Sequence, residues 1–352
     1  MKNNHKISII LITFSLLASC NNEKRNENKP AAILVPESTL ALKMTRFDTE
    51  IFGHEGDFDS SDVINLRKKY GKFFDLWAIQ LAGIVSVNDQ MANSSYIAYN
   101  LNQYVNDKYI QEVYLESQRK YKDLAWLREE MTAVFKIYKI CFPKRNIPEM
   151  ITYLSPFTSN VMAMDNQLGV GLHFYLGADY KYYPSLQLPT YMTRKFSKEY
   201  MVTDLVKGWI DSEFNNDSTG KSLINEMVYR GKILYVCDLL LPDTEDSLKI
   251  GYTTKQFAWM SNHEQESWSF FIDQQLLFSN TSKTFTKYVS DGNSTSGFPS
   301  EAPAQIGSYI GWQIVRSFMK NNPTTTLEEL FKMQNAQVIL AQSNYKPTKK
   351  DK

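Results

Sequence analysis

The stretch Asn225-Glu226-Met227-Val228-Tyr229 is where residue types and spacing come closest to a reactive constellation. On a helix, positions i and i+4 share a face. The H-E-x-x-H pattern uses that spacing to hold two imidazoles on one zinc ion, with the glutamate activating the bound water. Here Glu226 keeps the carboxylate, but the ligand positions read Asn225 and Tyr229. An amide is a poor zinc ligand, and a tyrosine must first give up a proton with a pKa of about 10. Further on, His263-Glu264-Gln265-Glu266 puts Glu264 where some such peptidases keep a third, glutamate ligand. The frame fits with two of three ligands gone, so the expectation is no catalytic residue, no metal and no cofactor. The alternative is a peptidase-like hydrolase with a rearranged carboxylate site, which needs Glu226 and Glu264 on one solvent-open cleft. The plainer expectation for Glu226 is a pair with Arg230 one helical turn on.

Other reactive sets are weaker. Beyond the first 19 residues only His54, His173 and His263 remain, and no two stand at helical or hairpin spacing. Cys141 and Cys237 each sit in an apolar run, as expected of buried free thiols rather than a disulfide. Gly169-Val170-Gly171 and Gly307/Gly311 match no phosphate loop, and no nucleophile elbow occurs. Gly307-x-x-x-Gly311 instead suits a helix approaching a neighbour closely. The tyrosines at 175, 180, 182, 183 and 191 could line a small-ligand site, but aromatic loops more often pack.

The elements that must position these residues are mainly helical. Residues 60–84 have helical spacing, a polar helix pair covers about 94–120, and Leu124, Leu127, Met131, Val134 and Tyr138 make one apolar helix face. Pro143 and Pro148 end it. Alternation predicts strands over 44–52, 150–154, 160–164 and 168–175, with Asp165-Asn166-Gln167 as a hairpin turn. From about 194 the chain reads as helices over 194–213, 217–241, 253–279, 304–321 and 326–341. Clustered strands beside many helices give an α+β fold, predominantly helical with a small, mostly antiparallel sheet. Residues 41–347 read as one domain.

The amino terminus carries Lys2 and Lys6, an apolar run from Ile7 to Leu17, and then Leu17-Ala18-Ser19-Cys20. Eleven helical residues span roughly 16 Å, about half the ~30 Å hydrocarbon core, so the run suits a cleaved signal over residues 1–19 rather than a membrane span. Leu17-Ala18-Ser19-Cys20 resembles the bacterial lipobox, and that resemblance implies diacylglycerol on Cys20. The run from Asn21 to Ala32 is polar and without apolar periodicity, so residues 20–40 read as a flexible tether, and 348–352 as a polar tail. Without its leader the chain has 37 basic against 38 acidic residues. That balance excludes the basic footprint of a nucleic-acid binder.

Several segments together resemble the gliding-motility lipoprotein B (GldB) family of Bacteroidota. They are Arg46-Phe47-Asp48-Thr49-Glu50-Ile51-Phe52, Leu76-Trp77, Phe142-Pro143, Leu154-Ser155-Pro156-Phe157, Gly169-Val170-Gly171-Leu172 and Tyr175-Leu176-Gly177. To these add Gly231-Lys232-Ile233-Leu234-Tyr235, Leu241-Pro242-Asp243, Trp259, Glu264 to Trp268, Pro303, Ile306-Gly307, Ile310 to Arg316 and Tyr345-Lys346-Pro347. The resemblance implies a membrane-anchored envelope lipoprotein needed for gliding and for secretion of surface adhesins. It also implies kinship with zinc-peptidase-like domains and partners in the gliding and secretion machinery. Asn225 and Tyr229 in place of histidines, the Cys20 anchor and the near-zero charge favour a non-catalytic scaffold on a degenerate zincin-like fold. The alternating charges after Cys20, without an acidic run, favour an anchor facing the periplasm.

Overall fold

The computed structural model describes residues 28–36, 39–86, 93–214 and 222–347. The leader, Cys20, the first part of the tether and the tail 348–352 lie outside the described residues. The chain enters through strand β1 (Met44–Arg46) and turns at once into helix α1 (Phe47–Phe52). The strand expected over 44–52 is therefore only three residues long. Phe47 and Ile51, one helical turn apart, both bury in the same cluster, and Phe47 meets the rings of Tyr70 and Trp77 edge-on at 4.8 Å. Asp48, also buried, accepts from Arg46 Nε at 2.9 Å and Nη2 at 2.7 Å.

Next come α2 (Ser60–Tyr70), α3 (Lys72–Leu76) with a π turn (Trp77–Leu81), α4 (Ser94–Asn106), α5 (Lys108–Tyr121) and α6 (Ala125–Cys141). On α6 the expected stripe of Leu127, Met131, Val134 and Tyr138 is the buried face. Strands β2 (Glu149–Tyr153), β3 (Val161–Met164) and β4 (Gln167–Gly171) complete a four-stranded sheet in the order β1-β2-β4-β3. The expectation of a mostly antiparallel sheet is corrected here. β1–β2 and β2–β4 are parallel, and only the β3–β4 hairpin is antiparallel. Parallel neighbours need a long crossover, which the helical stretch between β1 and β2 supplies. The hairpin turns at Asp165-Asn166, with Met164 paired to Gln167 and Asp165 at φ 49°. That is the short left-handed turn expected of Asp and Asn. Period-2 alternation then sorts β2 between two cores. Met150 faces the larger one, and Ile151 and Tyr153 face the smaller one built with α1 to α4.

A 3-10 turn (Leu172–Tyr175) replaces the end of the strand expected to reach 175. Helices α7 (Thr190–Thr193), α8 (Lys198–Glu213), α9 (Leu223–Leu240), α10 (Asp246–Ile250), α11 (Thr254–Asn262), α12 (Glu264–Asp273), α13 (Ser282–Val289), α14 (Ile306–Asn321), α15 (Leu327–Lys332) and α16 (Ala336–Ser343) follow. The helix expected over 253–279 breaks at His263, whose Nδ1 lies 2.8 Å from the Trp259 carbonyl while its ring stacks on Trp259. Cys141 and Cys237 are free, as expected. Burial pushes their thiols up, to about 11 and about 12.

The centre of the larger core is the α9–α14 pair. Every residue of α9 except Asn225 and Arg230 is buried. A Cβ on Gly231 would fall on the backbone of Gly311, and one on Gly311 on the backbone of Met227. The expected close approach of the Gly307/Gly311 helix is therefore made against α9. Beside this contact lies a buried charge network. Asp238 accepts from Arg316 Nε and Nη2 at 2.7 Å each, from Trp312 Nε1 at 2.9 Å and from Lys249 Nζ at 3.1 Å. Asp246 joins it, 2.7 Å from Arg316 Nη2 and 3.3 Å from Lys249 Nζ.

Candidate functional site

One face of α9 opens on a cavity of about 220 Å³. Asn225, Val228, Tyr229 and Lys232, at steps of three, one and three, form that wall. The opposite wall is Glu328, Phe331 and Lys332 of α15 with Met333, Gln334 and Ala336. Glu213 and Phe214 from the end of α8 and Arg145 from the loop after α6 close it. Phe214 and Phe331 stack at 3.8 Å, and the Arg145 guanidinium lies 4.0 Å over Phe214. Arg145 also donates to Glu328 Oε1 at 2.7 Å and Glu213 Oε2 at 2.9 Å. Burial works against the Arg145 charge, but its hydrogen bonds to the two acids outweigh this and raise its pKa; the same contact lowers that of Glu328.

The positions read from the sequence divide sharply. Asn225 and Tyr229 stand side by side on the groove wall. Asn225 is a capping residue: Oδ1 accepts from the Ser222 hydroxyl at 2.8 Å, and Nδ2 donates to the Gln334 carbonyl at 2.8 Å. The Tyr229 hydroxyl lies 2.8 Å from Asp211 Oδ1 and 2.7 Å from the Phe214 carbonyl, two acceptors for its one proton. Burial, and next the Asp211 contact, raise its pKa well above the ordinary value. Such a phenol is poorly placed to become a metal-binding phenolate. Glu226, about 100° round the helix from Asn225, is buried and does not line the groove. Glu264 is buried at the start of α12, where it accepts from the Tyr345 hydroxyl at 2.8 Å, and it does not line the groove either. Neither acid therefore opens on this groove. Among the described residues no group of three or more His, Cys, Asp or Glu could hold a metal ion.

The sequence reading missed Arg145, Lys232, Phe214 and Phe331. Lys232 had a signal, being the only charge between Arg230 and Asp238 on an apolar helix. It is buried, and its Nζ donates to the Met333 carbonyl at 2.7 Å. A second recess of about 440 Å³ lies between β3 and α8 and includes Asp211, the acceptor for Tyr229. The tyrosine-rich loop lines neither cavity. Tyr175, Tyr180 and Tyr183 are buried, and the Tyr183 hydroxyl donates to the His173 carbonyl at 2.8 Å.

His173 itself is wholly buried, with Nε2 3.1 Å from the Ser155 hydroxyl. Burial pushes its pKa down to about 3. The unfolded chain, with an ordinary imidazole at about 6.5, binds a proton that the folded chain refuses between those values. Stability from the neutral ring is thus complete above about pH 6.5 and is lost as pH falls toward about 3. Urea denaturation at pH 7 and pH 4 should show the wild type losing about 3 kcal/mol more than His173→Gln over that interval. Equal losses would contradict a buried neutral ring.

Fold and groove together define a predominantly helical α+β protein with a charged and aromatic groove beside its central helix. The chain belongs to the gliding motility protein GldB family, whose family model matches residues 27–347. Membership ties it to gliding motility and, the family being one of lipoproteins, to an anchor in an envelope membrane. No functionally curated protein and no solved structure matches the chain. Among the described residues no helix is long and apolar enough to cross a membrane.

Proposed function

We propose that the protein acts in gliding as a non-catalytic, partner-binding scaffold, lipidated at Cys20, facing the periplasm and linked to the secretion of surface adhesins. Its partners are proteins of the gliding and secretion machinery. The groove between α9 and α15 is the partner site. The observation that carries this reading is the use made of positions 225 and 229. Both side chains are spent on holding the groove wall together, through Ser222, Gln334, Asp211 and Phe214. Converting either to a ligand would unmake the wall. The groove's own chemistry is that of protein recognition: stacked Phe214 and Phe331 under Arg145, with Lys332 and Glu328 at hand. Aromatic and arginine side chains carry most binding energy at protein interfaces. A cavity of about 220 Å³ suits one inserted partner side chain rather than a whole cofactor.

Two measurements test this, one on the purified lipoprotein and one in native membranes. Metal analysis after dialysis is expected to find no stoichiometric zinc. Lys332→Glu, on the exposed rim, is expected to weaken recovery of envelope partners crosslinked in native membranes about tenfold, as losing a charged contact worth roughly 1.4 kcal/mol would. Retained zinc, or loss of gliding with Glu226→Gln in a normally folded chain, would favour the hydrolase instead.

A further inference from the structure

The chain just after the expected lipidation site does not hang free. Lys320 Nζ donates to Asn28 Oδ1 at 3.1 Å, and Lys29 Nζ lies 3.2 Å from Asp246 Oδ1 with only 21% of its side chain exposed. Ile33 and Leu40 pack against the larger core. Lys29 thus adds a third cation to the buried network of Asp238, Asp246, Arg316 and Lys249. Part of the stretch read as a flexible tether is therefore seated on the body, from Asn28 onward, eight positions after Cys20.

The seat lies at one particular end of the molecule. Met227 packs beside Gly307, Gly231 beside Gly311 and Asp238 beside Arg316, so α9 and α14 run in the same direction. Ser343, at the end of α16, takes hydrogen bonds from Ser317 at 2.8 Å and Asn321 at 2.6 Å near the end of α14. Helix ends α9, α14 and α16 therefore lie together, next to Lys320 and α10. At the other end, Leu223 N donates to the Ser279 carbonyl at 2.8 Å. The 18 residues of α9 separate the two ends by about 27 Å.

We propose that the ends of α9, α14 and α16, with α10, form the face apposed to the bilayer, and that the start of α9 with the groove points away from it. This rests on lipidation at Cys20. Eight residues at full extension reach about 28 Å, so Lys320 stays within roughly that distance of the headgroups. The start of α9 stands about 27 Å further out, where an aqueous partner reaches it unhindered. The seated Lys29 is what converts a loose anchor into an oriented one.

The test uses the full-length lipidated protein in phosphatidylethanolamine–phosphatidylglycerol vesicles carrying an acceptor dye on the headgroups. A donor is placed at Thr324→Cys, just past the end of α14, or at Asn280→Cys in a Cys141→Ser background, Cys237 being wholly buried. Energy transfer is expected to be stronger from position 324 than from 280. Adding Lys29→Glu, which sets a like charge against Asp246, is expected to shrink the difference by freeing the segment. Equal or reversed transfer overturns the orientation, and an unchanged difference with Lys29→Glu overturns the role of the seat. Mass spectrometry on the same sample separates the premises. Absence of acyl chains on Cys20 sinks the lipoprotein reading and this one with it, whereas acylated protein with equal transfer sinks only the orientation.

Discussion

Asp238→Asn is expected to destabilise the protein by about 3–5 kcal/mol, a large share of the 5–15 kcal/mol typical of a folded domain. Asp238 is the hub of a network in which Arg316 and Lys249 are fully buried. The amide keeps the shape of the carboxylate and removes its charge. Asp246 would then face Arg316, Lys249 and Lys29 alone. Burial raises the Asp246 pKa, yet Arg316 and Lys249 more than offset it, so its carboxyl already sits below the ordinary value. It has no second charge to give. The loss should appear in urea denaturation at pH 7. Replacing the three central charges together, as Asp238→Leu, Lys249→Met and Arg316→Met, should recover much of it, because apolar side chains of similar volume carry no desolvation cost. If Asp238→Asn costs under about 1 kcal/mol, the network is better hydrated than its burial indicates.

How much of this could be read beforehand follows the range of each interaction. The α6 stripe is legible because four apolar residues repeat within one helix, and Asp165-Asn166 because two residues suffice to make a hairpin. The sheet's parallel pairing is not, since Met44 pairs with Met150 across the long, largely helical stretch between β1 and β2 and nothing local encodes that register. Phe47 shows the opposite failure. Alternation around it suits a strand, but the rings of Tyr70, Phe73 and Trp77 decide its conformation from outside the segment. The groove was half legible. Asn225 and Tyr229 were found because a motif frame pointed at them, and they do share its wall. Arg145, Phe214 and Phe331 come from three distant segments and meet only through packing. Asp238 and Arg316 are lone charges inside apolar runs. That pattern signals a buried pair, though it does not name the partner.

Groove, charge network and seated segment all hang on one contact, the meeting of α9 with α14. Gly311→Ala is expected to be the most damaging single-methyl change in the chain. Alanine ordinarily favours a helix over glycine by about 1 kcal/mol, so an exposed site would gain stability. Here the added Cβ would fall inside the Met227 carbonyl group, with backbone on both sides and no side chain able to rotate away. The helices must part, and parting them stretches the bonds from Trp312 and Arg316 to Asp238. Overpacking usually costs about 1–3 kcal/mol, and a clash relieved only by backbone movement belongs at or above the top of that range. Gly231→Ala meets Gly311 from the other side and should behave alike. Gly292→Ala is the control, since its Cβ would find nothing nearer than Ala304 Cβ at 3.5 Å. Thermal denaturation of the three variants should therefore leave Gly292→Ala near the wild type and bring the other two down together. Combining Gly231→Ala with Gly311→Ala should cost less than the sum of the two, because one separation of the helices relieves both clashes. Full additivity would mean that the two glycines guard separate contacts, and the close approach of α9 and α14 would lose its claim to be the axis of the fold.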